Sequence, residues 1–460
     1  MKKIDTDVVI IGAGTAGLTA YRAVKSAGRR VVLVEGGPYG TMCARVGCMP
    51  SKLLIAAANA AHGARQAAAF GVRVEGPVEV DGRQVMERVK RERDRFVGFV
   101  LETVNAIPAE EKLRGWARFE ADTRLQVNDS AQINTVATVI ATGSKPLIPE
   151  MYRSLGDRLV VNDDVFAWDE LPSRVLVIGT GPVGLELGQA LARLGVTVAV
   201  VGRSDKLGGI TDPVVNASAL AAFQAEFDLR LNTEVLEVAR HGNEVEARLK
   251  DKSGAENTAR FDYVLMAAGR PPAVSDLQMN KTSAILDDKG MPRFVSATQQ
   301  VEGTPIFLAG DVDGTRPLLH EAADDGYVAG ENAARFPNVK ERKRRSPLSI
   351  VFTSPQITHV GAYYRELPEN VIVGKTDFEN QGRSRIILQN RGKLRIYAEP
   401  GSGKFLGAEM VGPAAEHIGH LLAWAHQAGL TVGQMIQMPF YHPAIEEGVR
   451  SALGDALKQI

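Results

Sequence analysis

The sequence is short of cysteine, has no excess of either charge and contains no long apolar run. Only two of its 460 residues are cysteines, and 54 Lys and Arg residues balance 54 Asp and Glu residues. A chain without net charge has no general electrostatic attraction to nucleic acid or to an anionic membrane surface. No stretch approaches the ~18 consecutive apolar residues of a membrane span. We therefore expect neither a nucleic-acid partner nor a membrane partner.

The N-terminal segment shows no sign of a secretory leader. Its apolar run covers only residues 8–11 before a glycine, and no cleavage-like site follows. We expect a cytoplasmic location, where a lone pair of cysteines is more often catalytic than structural. An apolar fraction of 45% and a charged fraction of 23% are typical of a globular protein.

The two cysteines lie close together, in the segment Cys43-Ala-Arg-Val-Gly-Cys48. In a chain without other thiols, the two cysteines are either close by coincidence or form one functional dithiol. The pair follows a glycine-rich nucleotide fingerprint, and that context favours a redox-active disulfide beside a bound cofactor.

The fingerprint Gly12-Ala-Gly-Thr-Ala-Gly17 lies between a predicted strand at 7–11 and a predicted helix that ends near residue 27. Its first glycine allows a tight turn, its second lets a pyrophosphate approach the backbone, and its third lets helix and strand pack closely. Glu35 ends the next predicted strand, where its carboxylate can accept hydrogen bonds from a ribose. The segment therefore predicts a dinucleotide site.

A second fingerprint, Gly179-Thr-Gly-Pro-Val-Gly184, repeats this arrangement about 167 positions later. The position equivalent to the first acid is Gly202, and the cations Arg203 and Lys206 follow it. Loss of the carboxylate removes repulsion from a 2′-phosphate, which these cations could bind, so the sequence favours NADP over NAD. The alternative is that Arg203 stacks on adenine or faces solvent, which would leave NAD usable.

The repeat predicts an α/β fold with two Rossmann-type dinucleotide-binding domains. A basic run at 340–345 is predicted to be a solvent-exposed linker into a third, α+β domain. That domain is predicted from strand-like segments at 350–353, 386–388 and 394–398 and from apolar helical stretches at 415–428 and 446–457.

The order of motifs along nearly the whole chain resembles that of the flavoprotein disulfide reductases, and most closely that of dihydrolipoamide dehydrogenase. Any one motif is a modest signal, whereas all of them in the family's order are specific. They are the two fingerprints with Glu35 and Glu186, Cys43-x4-Cys48-x-Pro-Ser-Lys52, Ala141-Thr-Gly143, Gly269-Arg270-x-Pro272, Gly310-Asp311, Phe352-Thr-x-Pro355 and His442-Pro-x3-Glu447.

The resemblance implies an FAD-binding domain at 1–149 and 271–338, an NAD(P)-binding domain at 150–270 and a C-terminal dimerisation domain at 339–460. Asp311 would bind the ribityl chain of the flavin, and Lys52 would pair with Glu186 near its ring. Cofactor-binding residues are expected at Gly12, Gly14, Gly17, Glu35, Lys52, Thr142, Gly143, Gly179, Gly181, Gly184, Glu186, Arg203, Gly269, Arg270, Gly310 and Asp311.

The resemblance also implies a reaction at the dithiol. His442, whose ordinary pKa lies near neutrality, would take a proton from a substrate dithiol, and Glu447 would orient the imidazole. The substrate thiolate would attack Cys43, Cys48 would be left as a thiolate against the flavin, and electrons would pass through FAD to NAD(P). In the family the His–Glu dyad reaches the disulfide of the partner subunit, so we expect a homodimer that acts on a small dithiol or disulfide or on a lipoylated protein.

Several residues depart from the family's pattern. Met42 intervenes between Gly-Thr and the first cysteine, Arg45 stands where asparagine is usual, Ala444 replaces a usual threonine and Pro182 lies in the second fingerprint. These positions ring the predicted active site, so they leave the substrate open.

Two alternatives therefore remain. One is an NADPH-dependent reductase of another low-molecular-weight disulfide, which the Gly202-Arg203 pair supports. The other is a non-catalytic docking subunit of an acyltransferase complex, against which the intact cysteines argue. Ser51 before Lys52 favours the lipoamide branch, and the end at Ile460 lacks the cysteine pair of mercuric reductases.

The tryptophans Trp116, Trp168 and Trp424 are interpreted as packing residues. No metal site is expected, because the helical histidines at 417 and 420 have no matching ligand set.

Overall fold

The computed structural model describes the whole chain, Met1–Ile460. Its helices are α1 (Thr15–Ser26), α2 (Met42–Val46), α3 (Cys48–Gln66), α4 (Gly82–Asn105), α5 (Asn162–Val165), α6 (Pro182–Arg193), α7 (Pro213–Gln224), α8 (Leu319–Arg335), α9 (Gly382–Ile386), α10 (Ala415–Gln427), α11 (Val432–Met435) and α12 (Glu447–Leu457). Short 3-10 helices occupy Ala67–Phe70, Ala109–Glu111, Glu150–Arg158, Ser275–Leu277, Met279–Lys281, Asp311–Asp313 and Tyr364–Glu366.

The strands in chain order are β1 (Lys2–Asp5), β2 (Val8–Ile11), β3 (Val31–Glu35), β4 (Lys112–Arg114), β5 (Ala117–Ala121), β6 (Arg124–Val127), β7 (Ala131–Asn134), β8 (Ala137–Ile140), β9 (Leu159–Val160), β10 (Arg174–Ile178), β11 (Thr197–Val201), β12 (Asp228–Arg230), β13 (Glu234–His241), β14 (Glu244–Lys250), β15 (Glu256–Phe261), β16 (Tyr263–Met266), β17 (Phe294–Val295), β18 (Gln300–Val301), β19 (Ile306–Leu308), β20 (Leu348–Val351), β21 (Gln356–Gly361), β22 (Ile372–Asp377), β23 (Lys393–Ala398) and β24 (Phe405–Gly412).

The chain divides into two compact units. The first unit contains residues 1–50, 88–147 and 270–344, and the second contains residues 51–87, 148–269 and 345–460.

The first unit is built on a seven-stranded sheet with the order β17-β18-β19-β8-β2-β3-β4, in which β19 to β4 run parallel. Successive strand residues face opposite sides of a sheet, and a sheet covered on both sides therefore needs continuous apolar strands. Val8 and Ile10 face a core formed with α1 and α8. Val9 and Ile11 face a second core that includes Phe119 from the four-stranded sheet β1-β7-β6-β5.

Helix α8 packs very closely on α1. A β-carbon at Gly326 would overlap the carbonyl oxygen of Ala16, and one at Gly330 would lie 2.6 Å from the carbonyl oxygen of Ala20. These two glycines, one helical turn apart, let the two backbones approach.

The second unit contains three sheets. A parallel sheet has the order β12-β11-β10-β16-β9, and an antiparallel sheet consists of β13-β14-β15. A second antiparallel sheet, β20-β21-β24-β23-β22, packs against α10 and α12 around a continuous apolar core. The predicted fold class, two parallel nucleotide-binding sheets followed by an α+β region, is confirmed.

One predicted strand is wrong. Residues 386–388 do not pair with any strand, because Ile386 ends the short helix α9 and Leu388 adopts a left-handed backbone with φ 53°. The Gln381 side chain caps this helix by accepting a hydrogen bond from Ser384 N at 2.7 Å. Only the middle residue of the apolar run packs against the core, because Ile386 is 56% and Leu388 47% exposed.

The basic run at 340–345 is only partly the solvated linker that we predicted. Most of its side chains are exposed, but Arg344 turns inward and forms ion pairs with Asp325 and, at 3.3 Å, with Asp313. None of the helices is both long and apolar enough to cross a bilayer.

Candidate functional site

The two cysteines lie at adjacent helix ends in the first unit. Cys43 is in α2 and half-buried, Cys48 is the first residue of α3 and exposed, and no disulfide joins them in this structure. A hydrogen bond to Cys48, followed by burial, raises the pKa of the Cys43 thiol.

Thr41 and Arg45 shape this turn, and of the two only Arg45 departs from the family pattern. Thr41 begins α2, and its hydroxyl accepts a hydrogen bond from Ala44 N at 3.2 Å although its φ is 55°. The Arg45 side chain lies along Gly40, and its Nε atom is buried without a hydrogen-bond partner. Arg45 lies within the cysteine segment, where its side chain would affect which molecule reaches the dithiol.

Lys52 and Glu186 form the expected pair in the second unit. Lys52 Nζ lies 2.6 Å from Glu186 Oε2, and Phe352 N donates a hydrogen bond to Glu186 Oε1 at 2.9 Å. The ammonium also lies 4.4 Å from the centre of the Phe352 ring. Because the Glu186 side chain is only 9% exposed, this is not an ordinary surface ion pair.

His442 and Glu447 are also in contact within the second unit. His442 Nδ1 lies 3.0 Å from Glu447 Oε1, and Ala444 N donates to Glu447 Oε2 at 3.2 Å. The hydrogen bond from His442 is the main cause that lowers the pKa of Glu447. The imidazole itself is 81% exposed, so its second nitrogen is open to a molecule outside the chain.

The first fingerprint has the geometry of a dinucleotide cradle. Gly12 has a φ of 107°, and β-carbons at Gly12 or Gly17 would overlap neighbouring carbonyl oxygens. A β-carbon at Gly14 would meet nothing within 4 Å, and no side chain caps the N-terminus of α1. Glu35 accepts hydrogen bonds from Ala13 N and Gly37 N, each at 2.7 Å. Open space at a helix N-terminus beside a carboxylate fits the pyrophosphate and ribose of a dinucleotide such as FAD.

The second fingerprint repeats this geometry. Gly179 and Gly184 make the same close approaches, and Gly181 faces open space at the N-terminus of α6. At the end of β11 a β-carbon on Gly202 would lie 2.7 Å from Thr180 Oγ1. The side chains of the two predicted phosphate contacts, Arg203 and Lys206, are exposed and make no hydrogen bond or ion pair.

A further group of predicted residues meets at the carboxyl ends of the first unit's strands. Ser144 Oγ donates to Asp311 Oδ2 at 2.8 Å, and Arg270 donates to Ser144 Oγ at 3.2 Å. Thr142 Oγ1 donates to Ala273 O at 2.7 Å. We did not predict Ser144; its position directly after Ala-Thr-Gly143 was the available signal.

The remaining predicted glycines have left-handed backbones: Gly143 at φ 68°, Gly269 at φ 129° and Gly310 at φ 78°.

The interpretation of the tryptophans as packing residues is wrong for two of three. Trp168 packs against Tyr263 with ring centres 5.3 Å apart, but Trp116 is 65% exposed and Trp424 is 69% exposed.

Comparisons with known proteins agree with this geometry. The sequence model described as pyridine nucleotide-disulphide oxidoreductase matches residues 6–326, and that of the family's dimerisation domain matches residues 348–453. A dihydrolipoyl dehydrogenase from Haloferax volcanii is 31% identical over 99% of this chain and 97% of its own. A mercuric reductase from Streptomyces lividans is 30% identical over 95% of this chain and 93% of its own. The HOCl-induced flavoprotein disulfide reductase RclA from Escherichia coli, solved as a Cu(II) complex, shares the fold with a TM-score of 0.83 at 21% identity, over 99% of each chain.

Two parallel nucleotide-binding sheets and a dithiol define a nucleotide-dependent redox enzyme. The chain belongs to the pyridine nucleotide-disulphide oxidoreductase family. It is a flavoprotein disulfide oxidoreductase of the group that includes dihydrolipoyl dehydrogenases and mercuric reductases. Membership implies FAD and NAD(P) as cofactors, and the dimerisation domain supports a homodimer.

Proposed function

We propose that the protein oxidises a dithiol of the dihydrolipoyl type and passes the electrons through FAD to NAD(P). The observation that carries this proposal is the pair of Cys43 in α2 and Cys48 at the start of α3, the only two thiols of the chain. Relatives named as dihydrolipoyl dehydrogenases extend over nearly the full chain, which supports the same substrate class.

The substrate dithiol would be oxidised through a mixed disulfide with Cys43. With the cysteines oxidised, His442 takes the proton of one substrate thiol, and Glu447 stabilises the imidazolium. The substrate sulfur then bonds to Cys43 Sγ while the Cys43–Cys48 bond breaks, and Cys48 leaves as a thiolate. The second substrate thiol attacks the substrate sulfur of the mixed disulfide. The substrate leaves oxidised, Cys43 takes the proton held by His442, and His442 then accepts the proton of the second substrate thiol.

The cofactors would complete the cycle. The bound FAD would supply the two-electron chemistry that connects the dithiol with NAD(P)+. The exposed sulfur of Cys48 is suited to contact with the flavin. Lys52, held by Glu186, would place a positive charge near the flavin ring. Asp311, fixed by Ser144, would bind the ribityl chain.

We further propose that residues 1–149 and 271–338 hold FAD, that 150–270 hold NAD(P) and that 339–460 form the dimer interface. The dyad of one subunit would then act on the dithiol of its partner. NADP is favoured over NAD because Arg203 and Lys206 carry unpaired charges at the strand end where a ribose phosphate would lie. The cytoplasmic location remains a prediction.

The test is the initial rate of dihydrolipoamide oxidation by the purified protein, with NAD+ and NADP+ in parallel.

Cys43→Ser and Cys48→Ser should each abolish turnover and retain FAD. His442→Ala should slow the dithiol half-reaction far more than flavin reoxidation. His417→Ala is the matched control, because His417 lies 3.4 Å from Glu416 and is exposed but has no proposed role. Normal turnover in either cysteine variant would contradict the mechanism.

The second candidate, an NADPH-dependent reductase of another low-molecular-weight disulfide, is favoured by the same unpaired cations and by Arg45 beside the dithiol. Reduction of the flavin by NADPH, without turnover of dihydrolipoamide, would support it. A docking subunit without activity would show neither reaction, and it would purify with a lipoylated partner.

A further inference from the structure

We propose that Trp116 forms part of the FAD site and packs its indole ring against the adenine end of the cofactor. The proposal rests on FAD, which family membership implies, and concerns a residue outside the family's motifs. It does not depend on the identity of the dithiol substrate.

The indole lies against the strand end that carries the predicted ribose contact. A β-carbon added at Gly36 would overlap three carbon atoms of the Trp116 ring, so the ring covers the main chain next to Glu35. Glu35 pairs with Arg114 across β3 and β4, and Gly115 N donates to Glu35 O at 3.0 Å. The carboxylate that would accept hydrogen bonds from the ribose and the indole therefore lie on the same strand end.

Two hydrogen bonds to one residue hold the indole's backbone in place. Trp116 N donates to Asn128 Oδ1 at 2.9 Å, and Asn128 N donates to Trp116 O at 3.0 Å. Arg114 donates to the Gly37 carbonyl, and its guanidinium lies 4.7 Å from the centre of the Tyr39 ring. The main chain that carries the indole is therefore anchored, although the ring itself is 65% exposed.

An anchored, exposed aromatic ring is suited to a planar ligand. Large aromatic side chains are usually well buried, and their flat faces stack on nucleobases without base preference. A ribose bound at Glu35 brings its attached adenine to this strand end. The structure thus offers the adenine a stacking surface that the fingerprint alone does not supply.

The experiment measures the rate at which FAD leaves the diluted holoenzyme, followed by flavin fluorescence. Trp116→Ala should release FAD about tenfold faster, in line with the loss of one base–aromatic contact. Trp116→Phe should stay close to wild type, whereas Trp116→Leu, which is apolar but not flat, should resemble Trp116→Ala. Phe70→Ala, which removes another exposed aromatic ring, is the control and should not change the rate.

A second measurement separates the adenine from the rest of FAD. ADP carries the adenine end without the flavin ring. Its inhibition constant against FAD rebinding should therefore rise about tenfold in Trp116→Ala. An unchanged rate of FAD release would overturn the proposal. Faster FAD release with an unchanged inhibition constant of ADP would also overturn it. If Trp116→Ala loses its fold by circular dichroism, the comparison of Trp116→Phe with Trp116→Leu decides. Failure of dihydrolipoamide turnover would reject the proposed substrate without affecting any of these results.

Discussion

At the scale of single residues, Thr41 combines a useful side chain with a strained backbone. A β-branched residue at φ 55° is costly, at about 1–3 kcal/mol, but its hydroxyl caps α2. Thr41→Gly relieves the strain and loses little capping energy, whereas Thr41→Ala keeps the strain and loses the cap. We expect the glycine variant to be about 1–2 kcal/mol more stable than the alanine variant. Urea unfolding at equal FAD content measures this difference, and equal midpoints would contradict it.

Arg203 is the residue that tests the nucleotide preference. A charged contact to a 2′-phosphate should contribute about ten- to hundredfold in affinity, so Arg203→Ala should lower kcat/KM for NADP(H) by this factor. The value for NAD(H) should change by less than about threefold. Arg230→Ala is the control, because Arg230 ends a neighbouring strand but is paired with Asp228 at 2.6 Å. Equal losses with both nucleotides would mean that Arg203 does not read the phosphate.

At the scale of elements, the contact between α1 and α8 is set by glycine. Gly326→Ala would place a methyl group on the Ala16 carbonyl, and overpacking of this kind costs about 1–3 kcal/mol or more. Gly63→Ala in α3 is the matched control, because nothing lies within 4 Å of its added β-carbon. The Gly63→Ala substitution should raise the free energy of unfolding of the protein by about 0.5–1 kcal/mol. Thermal unfolding of both variants checks that Gly326→Ala lowers the stability of the protein and that Gly63→Ala raises it.

The strands and helices around the two fingerprints were predictable because their patterns are local. Residues 174–178 and 197–201 form the strands that the repeated arrangement around the second fingerprint predicts, since unbroken apolar runs between glycine turns have few other solutions. The segment 386–388 was not predictable in this way. Three apolar residues cannot show whether they are buried, and the hydrogen bond by which Gln381 caps α9 is not visible in their pattern.

The candidate site was predictable where one motif carries several residues, as in the contact of His442 with Glu447 five positions later. Contacts between segments that are distant in the chain leave little trace in the local sequence. Nothing in the sequence around 340–345 shows that Arg344 reaches Asp325, and nothing around Trp116 shows that its ring covers Gly36. Such positions depend on tertiary packing, which a single sequence does not display.

At the scale of the whole molecule, one buried carboxyl makes stability depend on pH. Burial is the main cause that raises the pKa of Asp325 from 3.8 to about 6, against the opposing effect of Arg344. The folded state therefore binds this proton more tightly than the unfolded state. The resulting stability is fully present below about pH 4 and is lost as pH rises through about 6, by up to about 3 kcal/mol.

Asp325→Asn should remove this part of the pH dependence. Unfolding free energies measured between pH 4 and 7 should fall less steeply in the variant than in the wild type. Asp276→Asn is the control, because Lys145 lowers the pKa of Asp276 and gives that carboxyl the opposite pH dependence. The same slope in wild type and Asp325→Asn would contradict the assignment.

Sharing of the active site between two subunits can be tested with inactive variants. If the dyad of one chain serves the dithiol of the other, Cys43→Ser and His442→Ala each disable both sites of their homodimers. Equal mixing with subunit exchange gives mixed dimers with one intact site, so about a quarter of the wild-type sites should recover. No recovery, with mixed dimers verified by tagged purification, would place both groups in one chain.

The exposure of His442 would make the turnover rate of each chain depend on the protein concentration. A single chain leaves the imidazole 81% exposed. If assembly supplies the sulfur on which this base acts, dilution below the subunit dissociation constant leaves intact chains that cannot turn over. The rate per chain would then rise with concentration, and abundance itself would regulate the flow of electrons.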